Sequence, residues 1–184
     1  MKRWLVLMLV AGLLSPAAAL AATRRVALVV ANHEGGEGLA RLRYAERDAR
    51  RLVDVLTSVG GFAGPDVLWV VDQESGEVMR QLDEVERRID ELKDAGDEVM
   101  FLFYYSGHAE NGVLRMGPSR LDMRWLKRHL DESAADVRLA LIDSCGAGAI
   151  TRTKGADAGN QTKGATVAPA FVIAIENTLK TKGQ

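Results

Sequence analysis

The chain has 184 residues, 47% of them hydrophobic and 27% charged, with a formal net charge of -1. That is enough apolar material for one domain with a real core, and it sets aside disordered, fibrous and disulfide-rich classes. The near-zero charge gives no electrostatic footprint for nucleic acid.

Met1-Lys2-Arg3, the apolar stretch Trp4 to Leu14 and the Ala19-Leu20-Ala21 tract have the layout of a secretory signal peptide. The apolar segment falls short of the ~20 residues that a membrane span needs. Residues 1–21 are therefore expected to be removed, and the protein to be exported to a periplasmic or extracellular compartment with no stable membrane span. The first expected strand is the apolar run Arg25 to Ala31, and the glycine-rich segment Asn32 to Gly38 after it reads as a loop. In that loop His33, beside Glu34 and Glu37, has no metal-ligand spacing and reads as a solvated histidine. Tyr44 to Val59 predicts a helix with Ala45, Ala49, Leu52, Val53 and Leu56 on one face, ended by Gly60-Gly61. Val67 to Val71 predicts the second strand. Val78, Leu82, Val85, Ile89 and Leu92 then recur at helical spacing until Gly96.

Glu98 to Tyr105 predicts the third strand, and Asn111-Gly112 between short apolar runs predicts a small hairpin. Leu121 to Leu130 reads as a short helix, near whose end His129 carries no assigned function. Val137 to Ile142 predicts the fourth strand. Strands alternating with helices specify an α/β fold, a mostly parallel sheet with helices on both faces. Thr151 to Thr166 is rich in Gly, Thr, Lys and Asn and reads as a linker, while Ala168 to Leu179 is weakly apolar and fits no element clearly. The expected organisation is a signal peptide over 1–21, a catalytic domain over 24–150, and a linker with an incomplete C-terminal segment over 151–184.

Two segments carry the chemistry. Tyr104-Tyr105-Ser106-Gly107-His108 follows the third strand, and Asp143-Ser144-Cys145-Gly146-Ala147-Gly148 follows the fourth. In a parallel sheet both strand ends open into the crevice where ligands bind. Cys145 is the sole cysteine. It has no partner for a disulfide, and in an oxidising compartment a free thiol is either buried or used. Its polar and small neighbours read as an exposed turn. A free thiol has a pKa of about 8.5, so near neutrality it needs a base to take its proton. His108 is the candidate base and Cys145 the candidate nucleophile of a cysteine hydrolase. Small residues on either side, Gly107, Ala109 and Gly146, leave backbone N–H groups open to a developing oxyanion. Spacing shows no third member of a triad. Asp143 precedes Cys145 by two residues and falls on the same side of the strand. Asp48, among Arg47, Arg50 and Arg51, reads from spacing alone as a solvated helix charge.

The two motifs resemble the His and Cys motifs of caspase-like cysteine peptidases, the metacaspase and bacterial orthocaspase branch especially. The first strand, its Asn32 loop and the Asp48-Ala49 pair resemble the opening of that family, so that the likeness covers Arg25 to about Thr153. The resemblance implies a caspase-hemoglobinase α/β fold and a dyad of His108 and Cys145. It implies an oxyanion hole from the backbone of Ala109, where the family usually has Gly, with Cys145 and Gly146. It also implies an S1 pocket in which Asp48 and Asp143 select Arg or Lys, so the substrate would be a protein or peptide with a basic P1 residue. The His-to-Cys separation is shorter than the ~50 residues of the caspase signature, as a shorter crossover would produce. Family members continue past the Cys into a small-subunit region with two more strands, and the chain ends about where that region would begin. That predicts a bare edge on the fourth strand, open to self-association. Two other functions fit the same residues: an inactive caspase-like binding module, and a hydrolase of a non-peptide ester or amide. If S1 takes basic residues, Arg152, Lys154 and Lys163 are candidate self-cleavage sites. No cofactor is implied, and no calcium-loop signature accompanies the calcium activation known in some metacaspases.

Overall fold

The computed structural model describes residues 22–144 and the backbone of one further strand, 171–176. Five strands form the main sheet: β1 (Thr23–Ala31), β2 (Val67–Val71), β3 (Glu98–Ser106), β7 (Val137–Asp143) and β8 (Phe171–Glu176), in the spatial order β2-β1-β3-β7-β8. The first four are parallel, with Ala31, Ser106 and Asp143 in register at their C-terminal ends. A second sheet is built from β4 (His108–Glu110), β5 (Val113–Met116) and β6 (Ser119–Asp122), all antiparallel. The hairpin foreseen at Asn111-Gly112 is its first turn. Both turn residues have positive φ, 52° and 78°, the pairing that a two-residue turn between twisted strands requires. Ser119–Asp122 extends the hairpin to three strands, which the sequence did not suggest.

Helix α1 (Ala45–Ser58) covers one face of the main sheet, α2 (Ser75–Asp94) and α3 (Met123–Glu132) the other. On the α1 side Ala45, Ala49 and Leu56 meet Ala27, Val29, Ala31, Leu102 and Tyr104. On the other, Val78, Leu82, Val85, Ile89 and Leu92 of α2, all from the predicted stripe, pack on Val26, Leu28, Phe101, Phe103 and Tyr105. β1 and β3 are buried on both faces, which is why they read as unbroken apolar runs. At the N-terminal end of the sheet the buried Asp66 carboxylate binds Arg24 at 3.2 Å and Arg88 at 2.9 Å, tying β1 to α2.

One expectation changes. The edge of β7 is not bare: β8 pairs with it antiparallel from Val137–Glu176 to Ile142–Phe171. The Ala168 to Leu179 segment that fitted no element supplies this strand. Its Phe-Val-Ile-Ala-Ile core is β-branched and apolar, as a strand laid on an open edge needs to be. Arg138 interrupts the apolar run of β7 and is buried, its guanidinium donating to the carbonyls of Asp131 at 2.8 Å and Ser133 at 3.1 Å. Residues 1–21 and 145–170, which include the expected signal peptide, Cys145, Gly146 and most of the linker, lie outside the described residues. Among the described residues no helix is long and apolar enough to cross a membrane.

Candidate active site

In the order β2-β1-β3-β7 the chain crosses from β1 to β2 on one side, then to β3 on the other. A crevice opens at the C-terminal ends where those directions diverge. A cleft of about 300 Å³ lies there. Its walls are Ser106, Gly107 and His108 from the end of β3, Asp143 and Ser144 from the end of β7, and Leu42, Arg43, Tyr44, Ala45 and Asp48 from the start of α1. Three of the residues singled out from sequence, His108, Asp48 and Asp143, thus share one cavity. Ser144, the chain neighbour of Cys145, is buried in its wall, and its hydroxyl has no partner among the described residues. Cys145 and Gly146 lie beyond the described residues. Ala109 does not line the cleft: it pairs with Leu114 in the second sheet, with its side chain in the core.

His108 follows an abrupt change of sheet. Asn32 N–H donates to Ser106 O at 2.9 Å and Gly107 N–H to Asp143 O at 3.3 Å, which pins the end of β3 between its neighbours. The buried Tyr105 hydroxyl donates toward His108 O at 2.9 Å and Arg115 O at 2.6 Å, fixing the backbone of the histidine from below. Burial pushes the Tyr105 hydroxyl well above its ordinary range, so it remains a donor. The half-buried imidazole places Nε2 2.8 Å from Ala40 O. A carbonyl can only accept, so Nε2 carries the proton and Nδ1 holds the lone pair of the neutral ring. The Ala40 carbonyl thus fixes one nitrogen of the ring. Sequence could not reveal it, because a backbone carbonyl has no residue signature.

The two carboxylates differ in setting. Asp143 receives the Tyr104 hydroxyl at 3.4 Å. Burial pushes that hydroxyl up to about 12, and the nearby Asp143 and Asp48 charges act in the same direction. Asp48 lies 3.6 Å from Arg47 Nε and 3.8 Å from Arg51 Nη1, in pairs exposed to solvent. Such pairs are worth at most about 1 kcal/mol.

The loop between β1 and α1 is more ordered than a glycine-rich stretch suggests. His33 is not solvated: only 8% exposed, it binds Asp72 with its backbone N–H at 2.7 Å and Nδ1 at 2.9 Å. Its own carbonyl receives Leu42 N–H at 2.9 Å, which closes the loop at its base. Partial burial disfavours the Asp72 anion. The His33 bonds and the nearby His33 and Arg41 charges outweigh that and hold the carboxyl below its ordinary value. Proximity in space made this pair: Asp72 sits after β2, next to β1 only in the folded sheet. His129 stacks on Trp125 at 5.1 Å and faces Glu86 at 3.8 Å, away from the cleft. Among the described residues no three His, Cys, Asp or Glu side chains are grouped to hold a metal ion.

A mostly parallel α/β sheet, with a histidine and the approach to a cysteine at adjacent strand ends, defines a caspase-like architecture. The sequence model of the caspase domain matches residues 24–180, and the chain belongs to that family, whose members are cysteine peptidases. No curated protein matches the chain.

Proposed function

We propose that this protein is an exported cysteine endopeptidase of the metacaspase and orthocaspase branch, cleaving peptide bonds after Arg or Lys. What carries the reading is that His108, Asp48 and Asp143 share one cleft, with Ser144 in its wall directly before Cys145. In this mechanism Cys145 is the nucleophile and His108 the base. The Cys145 thiol gives its proton to the lone pair on Nδ1 as the sulfur attacks the scissile carbonyl. Nε2–H remains on Ala40 O throughout, so the ring need not turn over. The imidazolium returns the proton to the leaving amine, and a water then hydrolyses the thioester. The oxyanion is received by backbone N–H groups at Cys145 and Gly146, without the Ala109 N–H that the resemblance implied. A substrate guanidinium or ammonium lies between Asp48 and Asp143, displacing the weak pairs of Asp48 with Arg47 and Arg51. Residues 1–21 are the signal peptide, 24–150 the catalytic part and 151–184 a linker and C-terminal segment in which Arg152, Lys154 and Lys163 are open to self-cleavage. Catalysis needs no cofactor. The test is hydrolysis of peptide amides ending in Arg, Lys or Asp, with and without calcium. Cleavage after Arg and Lys that Cys145→Ala abolishes supports the reading. Cleavage after Asp, or cleavage that survives in Cys145→Ala, contradicts it.

A further inference from the structure

The loop over residues 33–42 is built onto His108, and the reaction above uses only its Ala40 carbonyl. We propose that Arg115 is a positioning residue for His108: it anchors the Gly35 carbonyl so that the loop backbone forms a wall against the imidazole ring. The proposal rests on His108 acting as the base of the peptidase.

Four observations converge. The ring lies directly on Gly35, where a Cβ would fall 2.5 Å from His108 Cδ2 and 2.7 Å from Cγ. No other residue leaves room for the ring there. Arg115 Nε donates to Gly35 O at 2.9 Å, and among the described residues this is its only side-chain hydrogen bond, made to a carbonyl rather than a carboxylate. Arg115 also stands directly across from His108 in the β4–β5 pairing, and the Tyr105 hydroxyl reaches both their carbonyls. The same pair of residues is thus joined twice, through its backbones below and through the loop above. A second tether, Gly117 N–H to Glu34 O at 2.8 Å, holds the loop one residue earlier.

The functional consequence follows from degrees of freedom. The Ala40 carbonyl fixes one nitrogen, but a single hydrogen bond leaves the ring free to tilt about it. A wall against the Cγ–Cδ2 side of the ring limits the tilt and keeps Nδ1 aimed in one direction. Misplacing a reacting group by about 1 Å costs on the order of 100-fold in rate.

The test uses the 15N-labelled chain, with His108 told apart from His33 and His129 by single His→Asn variants, and kinetics on an Arg-ending peptide. In the wild type His108 should show one tautomer, with its proton on Nε2. Arg115→Met and Gly35→Ala should each give averaged tautomers and lower kcat by about 10- to 100-fold, with KM within about twofold. Arg115→Lys, which keeps a donor but loses the planar fork, should recover part of kcat. Folded Arg115→Met or Gly35→Ala with the wild-type His108 tautomer and kcat would overturn the proposal. Should Arg115→Met fail to fold, Arg115→Lys and Gly35→Ala decide by the same two readouts. If the wild type cleaves no peptide, the peptidase reading fails, while the tautomer spectra still decide whether Arg115 and Gly35 position the ring.

Discussion

Tyr104 and Tyr105 are adjacent on β3 and point to opposite faces of the sheet, so their hydroxyls can be removed one at a time with unequal consequences. Tyr105 is fully buried among Leu28, Phe103, Leu114 and Met116, and its hydroxyl serves two carbonyls at 2.9 and 2.6 Å. Tyr105→Phe leaves both acceptors without that donor, in a place water does not reach. An acceptor stranded in this way costs about 1–3 kcal/mol. For a chain of this size each kcal/mol lowers the melting temperature by about 2–4 °C, so the variant should melt about 2–12 °C below the wild type. Tyr104→Phe loses the 3.4 Å contact with Asp143, whose carboxylate faces the cleft and is free to bind water instead, and the interaction with the Ser106 hydroxyl. Its cost should stay below about 1 kcal/mol. Urea and thermal unfolding of the two variants beside the wild type make the comparison. Equal melting of Tyr105→Phe and wild type, or a larger loss in Tyr104→Phe, would refute the claim that Tyr105 is the buried post under His108.

Asp72 is held below its ordinary carboxylate value in the folded chain, so unfolding takes up protons. Its contribution is fully present above about pH 4 and is lost as pH falls through the folded value. Asp72→Asn should flatten the acid limb of a stability-against-pH curve, and an unchanged limb would exclude the His33–Asp72 latch as its source. Glu86 behaves in the opposite way. Burial raises its carboxyl, with Asp90 adding to the effect against the pull of Ser133, His129 and Arg138, so folding is penalised as pH rises through the ordinary value of 4.5. Glu86→Gln should therefore be as stable as the wild type or more so at pH 7 in urea titrations, and a marked loss would contradict that sign. Asp48→Asn and Asp143→Asn should each lower kcat/KM on Arg peptides by about tenfold or more while leaving the unfolding midpoint within about 0.5 kcal/mol of wild type. Unchanged kcat/KM in both would remove the acidic S1 pocket.

The fold was readable wherever burial wrote a period into the sequence. The 78-82-85-89-92 stripe of α2 and the apolar runs of β1 and β3 could each bury themselves in only one way. His108 stood out because a His after a strand is chemically conspicuous, and the fold brings it into one cleft with Asp48 and Asp143. Three features were not readable. β8 gives a short and weak signal, and becomes a strand because β7 offers an unpaired edge. The burial of His33 depends on Asp72, which lies 39 residues away and meets it only across the β1–β2 pair. The His108 support is made of carbonyls and a missing Cβ, at Ala40 and Gly35, and side-chain identity says nothing about either.

The central claim is tested most directly by incubating the folded protein, without residues 1–21, with fluorogenic peptides ending in Arg, Lys or Asp, beside Cys145→Ala and His108→Gln. Calcium and chelator arms run in parallel. Release of fluorophore after Arg and Lys, absent in both variants and absent with Asp peptides, is the predicted result. A folded, monodisperse sample that cleaves none of them in any arm would contradict the peptidase reading and leave a caspase-like domain that binds rather than cuts.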